Sequence, residues 1–229
     1  MDISPLEAKI GVSFSNKDLL EQAFVHRSYL NENPGFRLSH NERLEFLGDA
    51  VLELAVTEAL YERFPDKPEG ELTSLRAALV NSQMLSTAAT DLGLNGFLLL
   101  SRGEAKDTGR ARQFILANAF EALIGALYLD RGYAEACRFI GRALMPRLEE
   151  VLSKQLYRDP KSAFQEAAQE RAGITPTYEV LREWGPDHNK HFVVGVYLGR
   201  QLVAEGEGPS KQVAEVEAAR LALEATEWR

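Results

Sequence analysis

Apolar positions recur at helical spacing through the first two-thirds of the chain and at strand spacing only after it. Ser15 or Asn16 is placed to cap a helix that starts at Asp18-Leu-Leu-Glu-Gln and is expected to run to about Tyr29. Asn33-Pro-Gly reads as a turn. A long apolar helix is expected from about Asn41 to just before Pro65, and Pro68-Glu-Gly reads as another turn. Leu72, Leu75, Leu79 and Met84 mark one further amphipathic helix ending near Gly93. Residues 101–112 lack apolar periodicity and read as a polar loop. Apolar helices return over 114–129 and from Tyr133 to Leu152. After the polar stretch Lys154 to Pro160 the period changes. A helix over 161–171 is followed by three alternating segments, 177–183, 192–198 and 201–205, and by a last Ala- and Glu-rich helix from Ser210 to about Thr226.

Composition narrows the setting. With 229 residues, 45% hydrophobic and 26% charged, the chain has room for one large or two modest globular domains. No apolar run is long enough for a bilayer and no signal-peptide pattern opens the chain, so no membrane partner and a cytoplasmic location are expected. The single Cys137 excludes an internal disulfide framework and a cysteine-based zinc site. The net charge of −8 opposes a polyanion partner unless local cations or bound metal ions intervene.

The candidate chemistry sits in Asn41-Glu-Arg-Leu-Glu-Phe-Leu-Gly-Asp49. On a helix, Glu42, Glu45 and Asp49 fall along one side, where like charges repel. A hard cation with oxygen ligands, Mg²⁺ above all, is the plainest use for that stripe; a solvated acidic face is the bland one. Leu44, Phe46, Leu47, Val51 and Leu52 interleave with the acids, so the helix is mostly buried and its acids need a crevice or a partner.

These residues resemble the signature helix of the bacterial ribonuclease III family. His26-Arg-Ser, Glu69-Gly-Glu, Ile115-Leu-Ala and Glu121-Ala-Leu-Ile-Gly extend the match. The segments Asp159-Pro-Lys-Ser, Gly185-Pro-Asp-His and Gly208-Pro-Ser-Lys are similar to those of a double-stranded-RNA-binding domain. The resemblance implies an all-α endonuclease domain over 1–153, a linker over 154–159, and an α-β-β-β-α RNA-binding domain over 160–229. It implies a homodimer, joined through the N-terminal domain, that cuts double-stranded RNA with Mg²⁺ (Mn²⁺ as substitute), leaves 5′-phosphate and 3′-hydroxyl ends, and processes transcripts such as ribosomal RNA precursors. By the same resemblance Glu45, Asp49 and Glu121 match metal-site carboxylates, with Asp49 and Glu121 catalytic. Glu42 and Glu69 match supporting acids. Phe46 matches an aromatic packed into the partner subunit, against the plain reading of a core Phe. Gln165, Glu166, Gln169, His188 and Lys211 match RNA contacts.

Three positions depart from the pattern. Asn118 stands where the family has a metal-site Asp; it keeps a carbonyl oxygen for a cation, loses a charge and gains a donor. Either the metal is held more weakly and cleavage persists, or the chain binds duplex RNA with weak or no cleavage. Phe114 replaces a usual Ser. Gln212 follows Lys211 where a second lysine is common, which predicts one phosphate contact fewer and a shallower salt dependence. The cations of 102–112 are read either as phosphate contacts or as part of a mobile solvated loop. His26 reads as a hydrogen-bonded structural residue. A di-iron bundle would want Glu-x-x-His pairs, which are lacking.

Overall fold

The structure, a computed structural model of the chain, describes residues 3–186 and 190–228. It divides into two compact units, Met1–Tyr157 and Arg158–Arg229.

The first unit is helical. Its helices are α1 (Ser4–Ile10), α2 (Lys17–Gln22), α3 (Arg27–Glu32), α4 (Glu42–Arg63), α5 (Glu69–Val80), α6 (Ser82–Asp91), α7 (Arg110–Arg131), α8 (Tyr133–Ala143) and α9 (Leu148–Ser153). α7 is buried on almost every side from Ile115 to Leu127, as expected of a helix that is apolar all round. It is the axis on which α4 and α6 pack. Phe24, Phe120 and Phe139 are fully buried in this core, each worth about 1.5–3 kcal/mol relative to exposure.

Several expected helices are broken, each for a local reason. The helix expected from Asp18 to Tyr29 becomes α2 and α3. Asn16 caps α2, and the chain then leaves helical geometry so that Val25 can bridge to Leu99 and His26 N–H can donate to the Leu99 carbonyl. His26 restarts the helix as an N-cap, its Nδ1 accepting the Ser28 N–H at 3.3 Å. Burial lowers the His26 pKa, which agrees with a neutral ring that accepts. Pro68-Glu-Gly is the start of α5 rather than a turn: Pro68 is its N-cap residue and the first turn carries Glu69 and Glu71. The single helix expected through Met84 breaks at Asn81, which takes extended backbone and caps α6 by accepting the Met84 N–H at 2.9 Å. The helix expected from Tyr133 to Leu152 is interrupted by a 3₁₀ turn at Met145–Arg147, where Pro146 has no N–H to give. α1 was not visible as an element in the apolar pattern.

The second unit contains α10 (Pro160–Ala172), β1 (Thr177–Trp184), β2 (His191–Leu198), β3 (Gln201–Gly208) and α11 (Lys211–Thr226). The sheet is antiparallel in the order β1-β2-β3, with register shifts at Val180/Arg182 and at Val196/Tyr197. Asp159 caps α10 and Ser210 caps α11 through their side chains. Phe164, Val196, Ala218, Ala219 and Ala222 form the core, and Trp228 stacks on Phe164. The alanines let α11 lie close to β3. A Cβ on Gly206 would fall 2.1 Å from the Ala218 nitrogen, so no other residue fits.

Candidate functional site

The site is made by a close crossing of two helices. A Cβ on Gly48 of α4 would lie 1.8 Å from the Glu121 carbonyl oxygen of α7, and one on Gly125 would lie 2.2 Å from the Leu44 carbonyl oxygen. With hydrogen in place of side chains at both positions, the two backbones touch. The residues flanking this contact are Glu45 and Asp49 on one helix and Asn118 and Glu121 on the other.

The electrostatics register the meeting. Glu121 is pushed up to about 8, first by burial and then by the charges of Asp49, Glu45 and Glu53. Glu45 is also raised, by burial first and then by Glu42, with a smaller contribution from Asp49. A side-chain hydrogen bond from Asn118 works in the opposite direction. The amide of Asn118 therefore lies where it favours the ionised Glu45 carboxylate, an effect that the family's usual Asp could not have while ionised. Among the described residues, no three His, Cys, Asp or Glu side chains already form a ligand cluster. What the crossing collects is an oxygen-only set of carboxyls, Glu45 and Glu121 half-buried and Asp49 exposed, with one amide carbonyl. That chemistry fits a hard divalent cation and offers nothing to a soft one.

The remaining residues divide. Glu42 acts on Glu45 but also faces outward, 3.5 Å from Arg27 Nη1 and 3.7 Å from His40 Nδ1. Glu69 is exposed in the first turn of α5, where its Oε1 accepts from Thr73 at 2.9 Å; it is not among the groups that shift Glu45 or Glu121. Phe46 is 83% exposed, so the core reading of this residue is wrong for the single chain. Leu54 and Tyr61, exposed on the same helix, continue an apolar stripe.

Sequence reading missed Glu53 and its brace. Glu53 is one turn beyond Asp49 and acts on Glu121, while Arg76 of α5 holds it at 2.7 Å and also donates to Thr57 Oγ1 at 3.0 Å. The spacing 45, 49, 53 was the available signal. The 101–112 segment is tied down in part. Arg112 donates to the Asp107 and Glu104 carbonyls and to Asn95 Oδ1, and the Ser101 and Arg102 N–H groups are held by Ser28 and Glu32. Arg112 is thus a structural clasp.

In the second unit Gln165, Glu166 and Gln169 are exposed together on the outer face of α10, opposite buried Phe164 and Ala168. Lys211 opens α11, exposed, its Nζ 5.8 Å from the centre of the Phe192 ring. His188 lies outside the described residues.

Comparison with known proteins agrees with this architecture. Residues 16–148 match the ribonuclease-III-like family and residues 160–225 the double-stranded RNA binding motif. The chain is similar to Ribonuclease 3 of Oceanobacillus iheyensis, with 46% identity covering 98% of each chain. It is 47% identical to Ribonuclease 3 of Geobacillus thermodenitrificans over 96% of this chain and 89% of that one. The solved nuclease domain of ribonuclease III from Campylobacter jejuni superposes with a TM-score of 0.56 at 40% identity, covering 62% of this chain and 98% of that domain. No helix among the described residues is long and apolar enough to cross a membrane. With a metal-dependent nuclease family matched over its first unit and a duplex-RNA-binding motif over its second, the chain belongs to the ribonuclease III family of double-stranded-RNA endonucleases.

Proposed function

We propose that this endonuclease works with Mg²⁺ held by Glu45, Asp49, Glu121 and the Asn118 carbonyl, with Asp49 and Glu121 as its catalytic acids, and that hydrolysis leaves 5′-phosphate and 3′-hydroxyl ends. The observation that carries this reading is the upward push on Glu121 and Glu45 at the Gly48–Gly125 crossing, where burial first and neighbouring acids, Asp49 among them, raise the cost of ionising both. When bound, the cation supplies charge neutralisation for the scissile phosphate and eases deprotonation of the attacking water. The chain's own part is to hold the oxygens in place, to keep the pocket half dry, and to release the proton of Glu121 as the cation enters. Asn118 tempers the site. Its amide favours the ionised Glu45 carboxylate, competes with the cation for it, and leaves the set one charge short of the family's usual four.

Duplex RNA would be gripped by the exposed face Gln165, Glu166 and Gln169, by His188 and by Lys211, a mode that reads A-form shape across successive minor grooves. Homodimerisation through the first unit is supported by Phe46, Leu54 and Tyr61, which form an apolar stripe with no cover on the single chain. The Campylobacter jejuni nuclease domain is described as having a region involved in dimer formation. Two copies would set two sites on the two strands. Glu42 and Glu69 are assigned supporting roles, Glu42 through its repulsion of Glu45.

The test is cleavage of a long RNA duplex across a Mg²⁺ titration, with Asn118→Asp beside the unaltered chain. The variant is expected to reach half-maximal cleavage at a Mg²⁺ concentration lower by roughly tenfold. Cleavage that survives excess chelator would remove the metal site, and an unchanged Mg²⁺ requirement would place residue 118 outside it.

A further inference from the structure

The second unit brings two lysines from distant parts of its sequence onto one ring. Lys211 Nζ lies 5.8 Å from the centroid of Phe192, and Lys190 Nζ lies 5.9 Å from the same point. The sheet register accounts for the meeting. Phe192 pairs with Gly208, so the start of β2 lies beside the end of β3, and α11 opens three residues later at Lys211. Gly208 has no space for a side chain: a Cβ there would come within 2.7 Å of Val213 Cγ1. The first turn of α11 is therefore pressed against this end of the sheet, and the Phe192 ring, itself buried, is a fixed platform.

Solvated lysines separate when nothing holds them together. Here the Phe192 ring helps to hold each of them, since a cation over an aromatic ring is favourable even at the surface. Glu183, whose Oε1 is 3.4 Å from Lys190 Nζ, steadies one of the pair; both partners are partly exposed, so the contact is weak and open to exchange. By contrast Lys161, over the Tyr178 ring, is closely paired with Glu215 at 2.6 Å.

We propose that Lys190 is a second phosphate-contacting lysine of the RNA-binding unit, standing with Lys211 around the Phe192 ring and supplying the cation that Gln212 does not. The proposal rests on the duplex-RNA-binding reading of this unit and makes the contact one to the backbone, indifferent to base sequence. It also revises the expectation of a shallower salt dependence drawn from Gln212 alone.

The experiment is fluorescence-anisotropy binding of the full chain to an RNA duplex longer than the about 16 base pairs such a unit covers, in chelator so that nothing is cut, repeated across salt concentrations. Lys190→Gln is expected to weaken binding and to flatten the plot of log affinity against log salt by about 0.7–0.9. Lys211→Gln should do the same, the double variant about twice as much, and Lys190→Arg should restore the original slope. Unaltered melting temperatures exclude unfolding as the cause. A slope unchanged by Lys190→Gln but flattened by Lys211→Gln would overturn the role of Lys190 and leave the RNA-binding reading intact. Failure of the unaltered chain to bind duplex would overturn both.

Discussion

The two units use the same device for opposite ends. In the first, Gly48 and Gly125 let two helices touch, and the charges gathered beside the contact are negative and repulsive, those of Glu45 and Glu121 half-buried. In the second, Gly206 and Gly208 let a helix touch a strand, and at that end of the sheet Lys190 and Lys211 stand over one ring, closer to solvent. Burial makes the difference. Charges crowded in a dry crevice shift their protonation and call for a counter-ion, whereas charges at the surface stay ionised and act over a distance that salt controls. The first site should answer to metal and pH, the second to ionic strength.

The severest way to break the comparison is to remove the device itself. Gly48→Ala places a methyl where the Glu121 carbonyl is, and forced overpacking of this kind costs about 1–3 kcal/mol or more. A lowered first melting transition with cleavage lost is expected. Gly206→Ala should lower only the transition of the second unit and abolish duplex binding by it; calorimetry of both variants checks the separation. Next is Glu121→Gln, which keeps the shape and removes the charge. Cleavage should fall by on the order of 100-fold.

The same variant sharpens the role of burial. Glu121 sits at about 8 in the folded chain against an ordinary 4.5, so folding takes up a proton between those values. That contribution to stability is complete below about 4.5 and is lost as pH rises through about 8. In chelator, the unaltered chain should therefore lose more stability from pH 5 to pH 8.5 than Glu121→Gln, as followed by denaturant unfolding. A smaller effect is expected at the apolar stripe. Phe46→Asp should weaken self-association by tenfold or more, since burying such a ring contributes about 1.5–3 kcal/mol and a two-fold interface counts it twice. Sedimentation of both proteins measures it.

Much of the architecture was legible because long apolar helices and alternating strands carry their own period. The boundaries that failed were those where a distant segment competed: Val25 left its helix to bridge Leu99, and Asn81 broke an amphipathic run by capping the next helix. The acids 42, 45 and 49 were visible as a stripe that Glu53 continues at the same spacing, yet its partner Arg76 was not legible, because only packing of α5 on α4 joins them.

Taken alone, the order of residues determined the helical first part, the α-β-β-β-α second part, the acid spacing on α4 and the missing charge at 118, since all of these are properties of neighbours along the chain. Tertiary structure decided that Asn118 favours the ionised Glu45, that Phe46 lies bare and that Lys190 and Lys211 share the Phe192 ring. Those contacts depend on how close two elements can come, and that is set by which positions lack a Cβ and by which ladder register aligns them.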